Sequence, residues 1–285
     1  MELYYDFHLH SCLSPCGDKD MTPYNLVNMA KILGMDVIAL TDHNTAQNCR
    51  AALEVGEKIG LTVIPGMELC TSEEVHVVCL FDEVNNAEAF SEYVLSTVPP
   101  VKNRPDIFGD QLIMDSGDGI IGTQELLLTT ASGISIENAV KYVSEYGGVC
   151  YPAHIDRSSY SVISNLGMIT PDMNFKSVEM TEQADRNEYM EKYPIIKDMP
   201  VIISSDAHYL ENMKEAKHTV NVNDNTAKAI VDYFRNLLSV SGAAAQNRRS
   251  GHKKNLISIF LKKRQYYLTK PRFNGIISSV ADMRV

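Results

Sequence analysis

Short apolar segments alternate with longer amphipathic segments along most of this chain, a pattern typical of repeated strand–helix units. Runs rich in β-branched and aromatic residues predict the strands. The predicted strands are residues 3–5, 37–41, 61–65, 75–81, 149–151, 177–180 and 200–205. Repeated strand–helix units favour a parallel sheet, so we expect an α/β protein with helices packed on a largely parallel sheet.

Helices are predicted where apolar residues recur at helical spacing between these strands. They cover about residues 23–33, 47–59, 87–95, 136–146 and 225–238. Thr22 and Pro23 are suited to begin the first helix, because a hydroxyl caps a free N–H and proline fits the first helical position. Gly34 and Gly60 are suited to end the first two helices.

Residues 99–133 interrupt the alternation. Two apolar segments, 111–114 and 120–121, flank the Gly/Asp-rich stretch 115–119, which predicts a β-hairpin. We interpret this region as an insertion. It could form one wall of a substrate pocket or face solvent as a loop.

Charge is distributed unevenly along the 285 residues, of which 45% are hydrophobic and 22% charged. Residues 1–232 contain 35 acidic and 15 basic residues, a net charge of -20, whereas 233–285 contain one acidic and 11 basic residues, a net charge of +10. We expect one domain over residues 1–238, followed by a linker and basic tail over 239–285. The tail could fold back onto the acidic body, pair with another subunit or contact an anionic partner.

The negative charge of residues 1–232 disfavours sequence-independent binding to a nucleic-acid backbone, but it does not exclude a nucleic-acid substrate. A small phosphorylated substrate is easier to reconcile with this charge. No apolar run reaches the roughly 18 residues of a membrane span, and the N-terminus lacks the pattern of a secretory signal, so we expect a cytoplasmic protein. The six cysteines lack disulfide-framework spacing and are interpreted as free thiols. Cys12 and Cys16 are near the paired histidines described next, but this spacing alone is weak support for a ligand role.

Metal-binding residue types concentrate on the predicted strands. Asp6, His8 and His10 alternate along the first strand and therefore project to one face. Six of the eight histidines, together with three acids, fall on or just after predicted strands: His8, His10, His43, His76, His154, His208, Asp42, Glu68 and Asp206. The C-terminal ends of parallel strands meet at one edge of a sheet, so these groups predict a metal site.

Imidazoles mixed with carboxylates suit Zn, Mn or Fe, and so many candidates exceed the needs of one ion. We therefore expect at least two ions, which can share a hydroxide that attacks phosphorus and can also hold phosphate oxygens. Redox chemistry is disfavoured, since no Gly-rich dinucleotide loop and no P-loop is present in the sequence.

The order of these motifs resembles the PHP family, the polymerase and histidinol phosphatase phosphoesterases. The resemblance covers about residues 3–222 and implies a distorted seven-stranded β/α barrel whose cleft holds two or three divalent metal ions. Carried over by position, the family's ligands correspond to His8, His10, Asp18, His43, Glu68, His76, His154, Asp206 and His208. Asp18 is matched by its place before Pro23, and Asp20 competes for this role. Asp42 is interpreted as a group that orients His43.

Within this family the chain resembles the stand-alone nucleotide phosphatases, in which an arginine follows a histidine ligand by three positions. Arg157 stands in that relation to His154, and its planar guanidinium could hold a phosphate with two hydrogen bonds. The family usually has Pro-Gly between these two residues, where this chain has Ile155 and Asp156. Asp156 would place negative charge beside the phosphate, which leaves the substrate's identity open.

The resemblance implies catalytic roles for Glu68, as a bridging ligand, for Arg157 and for His208. Three functions remain as hypotheses: a phosphoesterase acting on a small metabolite, an exonuclease-like enzyme acting on nucleic-acid ends, and a non-catalytic regulatory module. The complete ligand set argues against the last of these. The oligomeric state is left open.

Overall fold

The computed structural model describes residues 1–240, with side chains through Leu237. The strands are β1 (Glu2–Leu9), β2 (Val37–Leu40), β3 (Thr62–Cys70), β4 (His76–Phe81), β5 (Leu112–Met114), β6 (Ile120–Thr123), β7 (Gly148–Pro152), β8 (Val178–Met180), β9 (Val201–Ile203) and β10 (Thr219–Asn221). The helices are α1 (Pro23–Ile32), α2 (Cys49–Ile59), α3 (Val84–Thr97), α4 (Pro105–Phe108), α5 (Ile136–Glu145), α6 (Val162–Leu166), α7 (Arg186–Lys192) and α8 (Ala227–Val240). Residues 239 and 240 of the predicted linker end α8, and the rest of the predicted linker and basic tail lies outside the described residues.

The main sheet has six strands in the order β10-β1-β2-β3-β4-β7. β1, β2 and β3 are parallel, as predicted, but β4 runs antiparallel to both β3 and β7, and β10 runs antiparallel to β1. The expectation of a largely parallel sheet is therefore wrong, since three of the five strand pairs in this sheet are antiparallel. The reason is local, since β3 and β4 are joined by a few residues without a crossover helix, and so short a connection can only make a hairpin.

A second pair of parallel strands, β8 and β9, curls the sheet toward a barrel. The Ile155 N–H donates to the Glu179 carbonyl (2.9 Å) at one end, and the His10 N–H donates to the Ala207 carbonyl (3.1 Å) at the other. The α/β fold with a curled half-barrel sheet agrees with the expected class. The strands do not form a regular seven-stranded barrel, because β8 and β9 form a separate two-stranded sheet beside the six-stranded one.

β1 shows how sequence alternation places the core and the site on opposite faces of one strand. Tyr5 and Phe7 stack at a centroid distance of 4.3 Å, and Phe7 meets the Phe234 ring of α8 at 6.1 Å. Asp6 and His8 project from the other face and are buried as well. The apolar face of β1 thus anchors the strand, and the polar face is held rigidly inside the curl.

Local signals for helix ends agree with the structure. The Thr22 hydroxyl accepts a hydrogen bond from the Asn25 N–H (3.2 Å), and Pro23 is the first helical residue of α1. Gly60 ends α2 in the left-handed region at φ 69°. None of the helices within residues 1–240 combines the length and apolar character needed to cross a membrane.

The insertion contains the predicted hairpin, formed by β5 and β6. It packs through β5, because Leu112 N–H donates to the Cys12 carbonyl (3.0 Å) and Asn48 bonds to both Leu112 and Met114. Ile120 and Ile121 on β6 are exposed. The hairpin therefore supports the loop that follows β1 with one strand and faces solvent with the other.

Candidate metal centre

The Glu68 carboxylate, on β3, is the centre of a buried cluster of imidazoles. Its side chain is 1% exposed. Ring nitrogens of five histidines lie close to its two oxygens: His43 Nδ1 at 2.9 Å, His76 Nδ1 at 2.9 Å, His8 Nε2 at 3.2 Å, His154 Nε2 at 3.2 Å and His10 Nε2 at 3.5 Å. Four separate segments of the chain thus bring histidines to one carboxylate.

His8 and His10 enter the cluster from the end of β1, and both are fully buried. Their Nε2 atoms lie 3.1 Å apart. Two nitrogens bound to one tetrahedral zinc ion at roughly 2.0–2.1 Å would be about 3.4 Å apart. The separations within this cluster therefore match those of ligands that share an ion.

The antiparallel direction of β4 explains how His76 reaches the same edge. His76 is the first residue of β4 and pairs with Cys70, the last residue of β3. The beginning of an antiparallel strand lies beside the end of its neighbour, so His76 joins residues that follow the ends of parallel strands. His43, which follows β2, forms a parallel bridge with Glu68.

Two ligand candidates lie in strained backbone after β7 and β9. His154 has φ 26° and Asp206 has φ 50°, values that non-glycine residues adopt rarely. Such strain concentrates at functional sites, where the surrounding structure compensates for it. Asp206 Oδ1 lies 3.1 Å from His10 Nε2 and 3.4 Å from His8 Nε2, while the His208 ring stacks on His10 at 4.1 Å.

Within the described residues, three buried atoms lie close to another ligand atom of the cluster but have no partner with hydrogen-bond geometry: His43 Nδ1, Glu68 Oε2 and Asp206 Oδ1. Leaving buried lone pairs without a partner costs free energy, and a cation offers them one. Three groups of ligand atoms lie within 4.8 Å of one another: His10 with His43 and His208, His8 with His10 and Glu68, and His43 with Glu68 and His76. The residues present therefore fit divalent metal ions.

The buried histidines lower the pKa values of the two carboxylates in the cluster. Burial raises the pKa of Glu68, but His76, His8 and His43 outweigh it and hold that pKa well below its usual range. Burial likewise raises the pKa of Asp206, and His8 and His10 lower it to well below normal. Both carboxylates therefore stay ionised, as metal ligands must be.

A set of hydrogen bonds outside the ring of ligand candidates orients the histidines. The Glu179 carboxylate of β8 lies 2.9 Å from His8 Nδ1, and the Ser14 hydroxyl lies 2.9 Å from His10 Nδ1. Ser14 in turn donates to Asp42 (2.7 Å). The Asp42 carboxylate accepts hydrogen bonds from Ser11 and Ser14, and the Ser14 hydroxyl accepts a hydrogen bond from the His43 backbone N–H at 3.2 Å, so Asp42 reaches His43 through Ser14.

Sequence reasoning assigned no role to Glu179 or Ser14. An acid inside the short apolar strand β8 was a signal that could have identified Glu179, since a buried carboxylate needs a partner. Ser14 lies in an irregular loop and gave no comparable signal.

Eight of the nine predicted ligands come together, and Asp18 does not join their contacts among the described residues. The Asp18 carboxylate accepts a hydrogen bond from the Asp20 N–H (2.9 Å), and Asp20 is exposed. Cys16 lies at the cluster instead, with its Sγ 3.3 Å from His43 Nε2. Desolvation of the sulfur raises the thiol pKa, but His43 and His208 outweigh it and lower the pKa to about 6.

Arg157 lies at the edge of the centre. Its Nη1 is 2.6 Å from Asp206 Oδ2, and its side chain is 44% exposed. The guanidinium therefore contacts the cluster and is also accessible to solvent. Asp156 is turned away, because its carboxylate accepts hydrogen bonds from the N–H (2.9 Å) and hydroxyl (2.5 Å) of Thr181. The concern that Asp156 would repel a phosphate beside Arg157 is thus reduced.

A cavity of about 110 Å³ opens beside the same edge of the centre. Its lining includes His154, Arg157 and Asp206 from the edge of the cluster, and also Lys214 and Lys217. The insertion contributes no residue to this cavity.

A curled α/β sheet with a buried histidine and carboxylate cluster at its strand ends defines a protein able to hold metal ions. The chain belongs to the PHP domain family, which matches residues 6–281.

The chain is also similar to individual proteins. A 5'-3' exoribonuclease of Haemophilus influenzae is 35% identical over 85 residues, which are 28% of this chain and 30% of that protein. The lesion-specific endonuclease PfuEndoQ of Pyrococcus furiosus has a similar fold, with a TM-score of 0.62 at 17% identity over 83% of this chain and 56% of that chain. A protein of Bifidobacterium adolescentis, whose assignment as a metal-dependent phosphoesterase is provisional, has a TM-score of 0.52 at 19% identity over 82% of this chain and 96% of that chain. This chain therefore aligns with less than a third of the curated relative's length.

Proposed function

We propose that this protein is a metal-dependent phosphoesterase that hydrolyses a phosphate ester of a small metabolite, a nucleotide being one candidate. The observation that carries the proposal is the buried Glu68 carboxylate, which has ring nitrogens of five histidines within 3.5 Å. A carboxylate so placed is suited to bridge two ions. Divalent ions in this centre would supply Lewis acidity toward phosphate oxygens and a lowered pKa of water.

Two or three ions of Mn, Zn or Fe are the proposed cofactors, because the donors are imidazoles mixed with carboxylates. The proposed ligands are the eight clustered residues: His8, His10, His43, Glu68, His76, His154, Asp206 and His208. Glu179 and Ser14 would fix the orientation of the His8 and His10 rings, since a ligand histidine is held by the partner of its other nitrogen.

Arg157 and His208 are proposed to meet the substrate. The His208 side chain is 20% exposed, whereas those of His8, His10, His43, His76 and His154 are at most 10% exposed. His208 is therefore the most exposed imidazole of the cluster, while His154 is the one that lines the cavity beside Arg157. Arg157 lies at the same edge and would bind phosphate oxygens through its guanidinium, which now pairs with Asp206.

The size and charge of this region favour a small substrate. Pockets that enclose a whole drug-sized ligand are about 300–1,000 Å³, so the cavity of about 110 Å³ beside Arg157 suits a phosphoryl-sized group. The net charge of -20 over residues 1–232 opposes a long contact with a nucleic-acid backbone.

Hydrolysis at the end of a nucleic acid is the second candidate. The similarity to a 5'-3' exoribonuclease and the fold shared with a lesion-specific endonuclease favour it. A terminal phosphate would use the same small cavity, so the substrates differ in what lies beyond the phosphate.

Hydrolysis assays on the full chain distinguish these functions. Metal-loaded protein is assayed with p-nitrophenyl phosphate and Mn(II), with a panel of phosphorylated metabolites, and with short oligonucleotides carrying a 5'-phosphate. We expect release of phosphate from monoesters, and none from Glu68→Gln protein prepared identically. Shortening of the oligonucleotides would instead support the second candidate. Full metal content with no turnover on either class would mean that the protein is a non-catalytic module.

A cytoplasmic location is part of the proposal. The support for it is that the six cysteines are not paired in disulfides, which suits a reducing compartment.

A further inference from the structure

Cys16 is exposed and lies beside His43 at the edge of the metal centre. The ligand atoms of His10, His43 and His208 form one of the groups within 4.8 Å, and Cys16 Sγ lies 3.3 Å from His43 Nε2. His43 presents its other ring nitrogen, Nδ1, to Glu68 at 2.9 Å. The sulfur and the Glu68 carboxylate therefore contact different ring nitrogens of His43.

The distance itself is informative. A zinc ion binds thiolate sulfur at about 2.3 Å and imidazole nitrogen at about 2.0–2.1 Å, so two such ligands in a tetrahedral site are roughly 3.6 Å apart. The separation of 3.3 Å between Cys16 Sγ and His43 Nε2 is close to this value.

A tight turn fixes Cys16 in this position. The Gly17 N–H donates to the Ser14 carbonyl at 2.8 Å, which makes Pro15 and Cys16 the two central residues of the turn. A Cβ on Gly17 would lie 2.3 Å from the Ser11 carbonyl oxygen, a distance that no side chain can adopt. The Asp18 N–H then donates to the His208 carbonyl at 2.8 Å, which ties the end of the turn to the centre.

The same loop turns Asp18 away. Its carboxylate accepts the hydrogen bond from the Asp20 N–H, so the backbone of Asp18 contacts the centre and its side chain does not contact the clustered residues. Asp18 is matched to a family ligand by its position relative to Pro23. The side chain of this loop that contacts the centre is instead the Cys16 sulfur, two residues earlier.

We infer that Cys16, and not Asp18, binds a metal ion together with His10, His43 and His208, which makes this outer site a thiolate site. A thiolate among imidazoles selects a soft or borderline ion such as Zn(II) or Fe(II) over Mn(II) or Mg(II). The inner donors around Glu68 are imidazoles and carboxylates and lack sulfur. The inference rests on the metal centre of the proposed function and is tested without hydrolysis.

Cobalt is the probe, because a thiolate bound to Co(II) gives an intense charge-transfer absorption in the near ultraviolet. Full-length metal-free protein is titrated with Co(II), and bound cobalt is counted by elemental analysis. We expect the wild-type protein to show this absorption. Cys16→Ser should lack it and should bind one equivalent of cobalt fewer. Cys12→Ser is the matched control, since Cys12 Sγ is buried and faces the Leu112 carbonyl.

Two further variants keep the inference testable if Cys16→Ser binds poorly for other reasons. Cys16→Asp supplies an oxygen ligand and should retain the cobalt stoichiometry without the charge-transfer band. Asp18→Asn should retain both. The inference would be overturned if the charge-transfer band persisted in Cys16→Ser or disappeared in Cys12→Ser. It would also be overturned if Asp18→Asn lost both the band and bound cobalt. Wild-type protein that binds cobalt without the band would overturn it and leave the phosphoesterase proposal intact, whereas wild-type protein that binds no cobalt would overturn both.

Discussion

Both oxygens of the Glu179 carboxylate lie within hydrogen-bonding distance of His8 Nδ1, at 2.9 and 3.0 Å, and His8 Nε2 lies 3.2 Å from Glu68 Oε1. The imidazole is thus held between a carboxylate that orients it and the donors of the metal centre. Burial lowers the pKa of His8, but Glu179, Asp206 and Glu68 outweigh it and raise that pKa well above its usual value. In the metal-bound protein, Glu179 would supply the charge that holds Nδ1–H in place.

Replacing Glu179 with Gln should weaken metal binding while the fold is retained. The neutral amide keeps the shape but removes the charge-assisted hydrogen bond to His8, and loss of such a partner typically costs about 10- to 100-fold in metal affinity. Isothermal titration with Zn(II) measures this change. Glu191→Gln on the exposed face of α7 is the control, and equal affinity in the two variants would contradict the role of Glu179.

Replacing Glu68 with Gln should abolish turnover and lower metal content with the fold intact. The substitution removes the one negative charge that five histidines approach, so bound ions would lose a shared ligand. Elemental analysis and phosphate release, with circular dichroism as a check on folding, measure the outcome. A variant with full metal content and a normal rate would exclude Glu68 as a bridging ligand.

Replacing Arg157 with Ala should lower kcat/KM by ~10²-fold or more, about 3 kcal/mol, without loss of metal. The reason is the loss of a guanidinium whose charge would offset that of the phosphate in the transition state. Steady-state kinetics with the best substrate measures the effect, and Arg186→Ala on α7 is the control.

Arg157→Lys should recover only part of the rate, because an ammonium cannot form two parallel hydrogen bonds. A decrease below about threefold in Arg157→Ala would indicate that Arg157 serves only as the partner of Asp206.

Metal-free protein should lose stability as the pH falls from about 6.5 toward 4. Burial lowers the pKa of His76 to about 4, whereas an unfolded histidine titrates near 6.5, so the unfolded chain takes up this proton first. The contribution of neutral His76 is complete above pH 6.5 and decreases through this interval. Thermal unfolding in EDTA between pH 7 and 4.5 measures it, and His76→Gln should show a shallower decrease in Tm. An equal slope in both proteins would contradict the assignment.

A chain that ends at Leu238 should stay folded and retain activity on small substrates. The apolar contacts of α8 precede this point, since Phe234 packs on Phe7 and Tyr151, and Arg235 pairs with Asp82. Loss of metal or activity on truncation would place residues beyond 238 in the catalytic domain. The boundary at residue 238 stays a prediction until then.

Much of the fold was determined locally and could therefore be predicted. Apolar runs identified the strands of the main sheet except the three-residue β10, and Thr22, Pro23 and Gly60 marked helix ends through their own backbone preferences. Most of the centre was predictable too, because a ligand type directly after a buried strand is already constrained in position. His10, His43 and Asp206 follow this rule.

Only the tertiary structure decided which residues complete and support the centre. The antiparallel direction of β4 depends on a connection between strands, and it brings His76 to the right edge. Cys16 enters the centre and Asp18 leaves it because a turn at Gly17 reverses the loop, which spacing along the chain cannot reveal. Glu179 meets His8 across 171 residues of sequence, through the curl that carries β8 beside the end of β7. Periodicity reports the face on which a side chain lies, but contacts between distant segments depend on how the sheet curls and how the loops close.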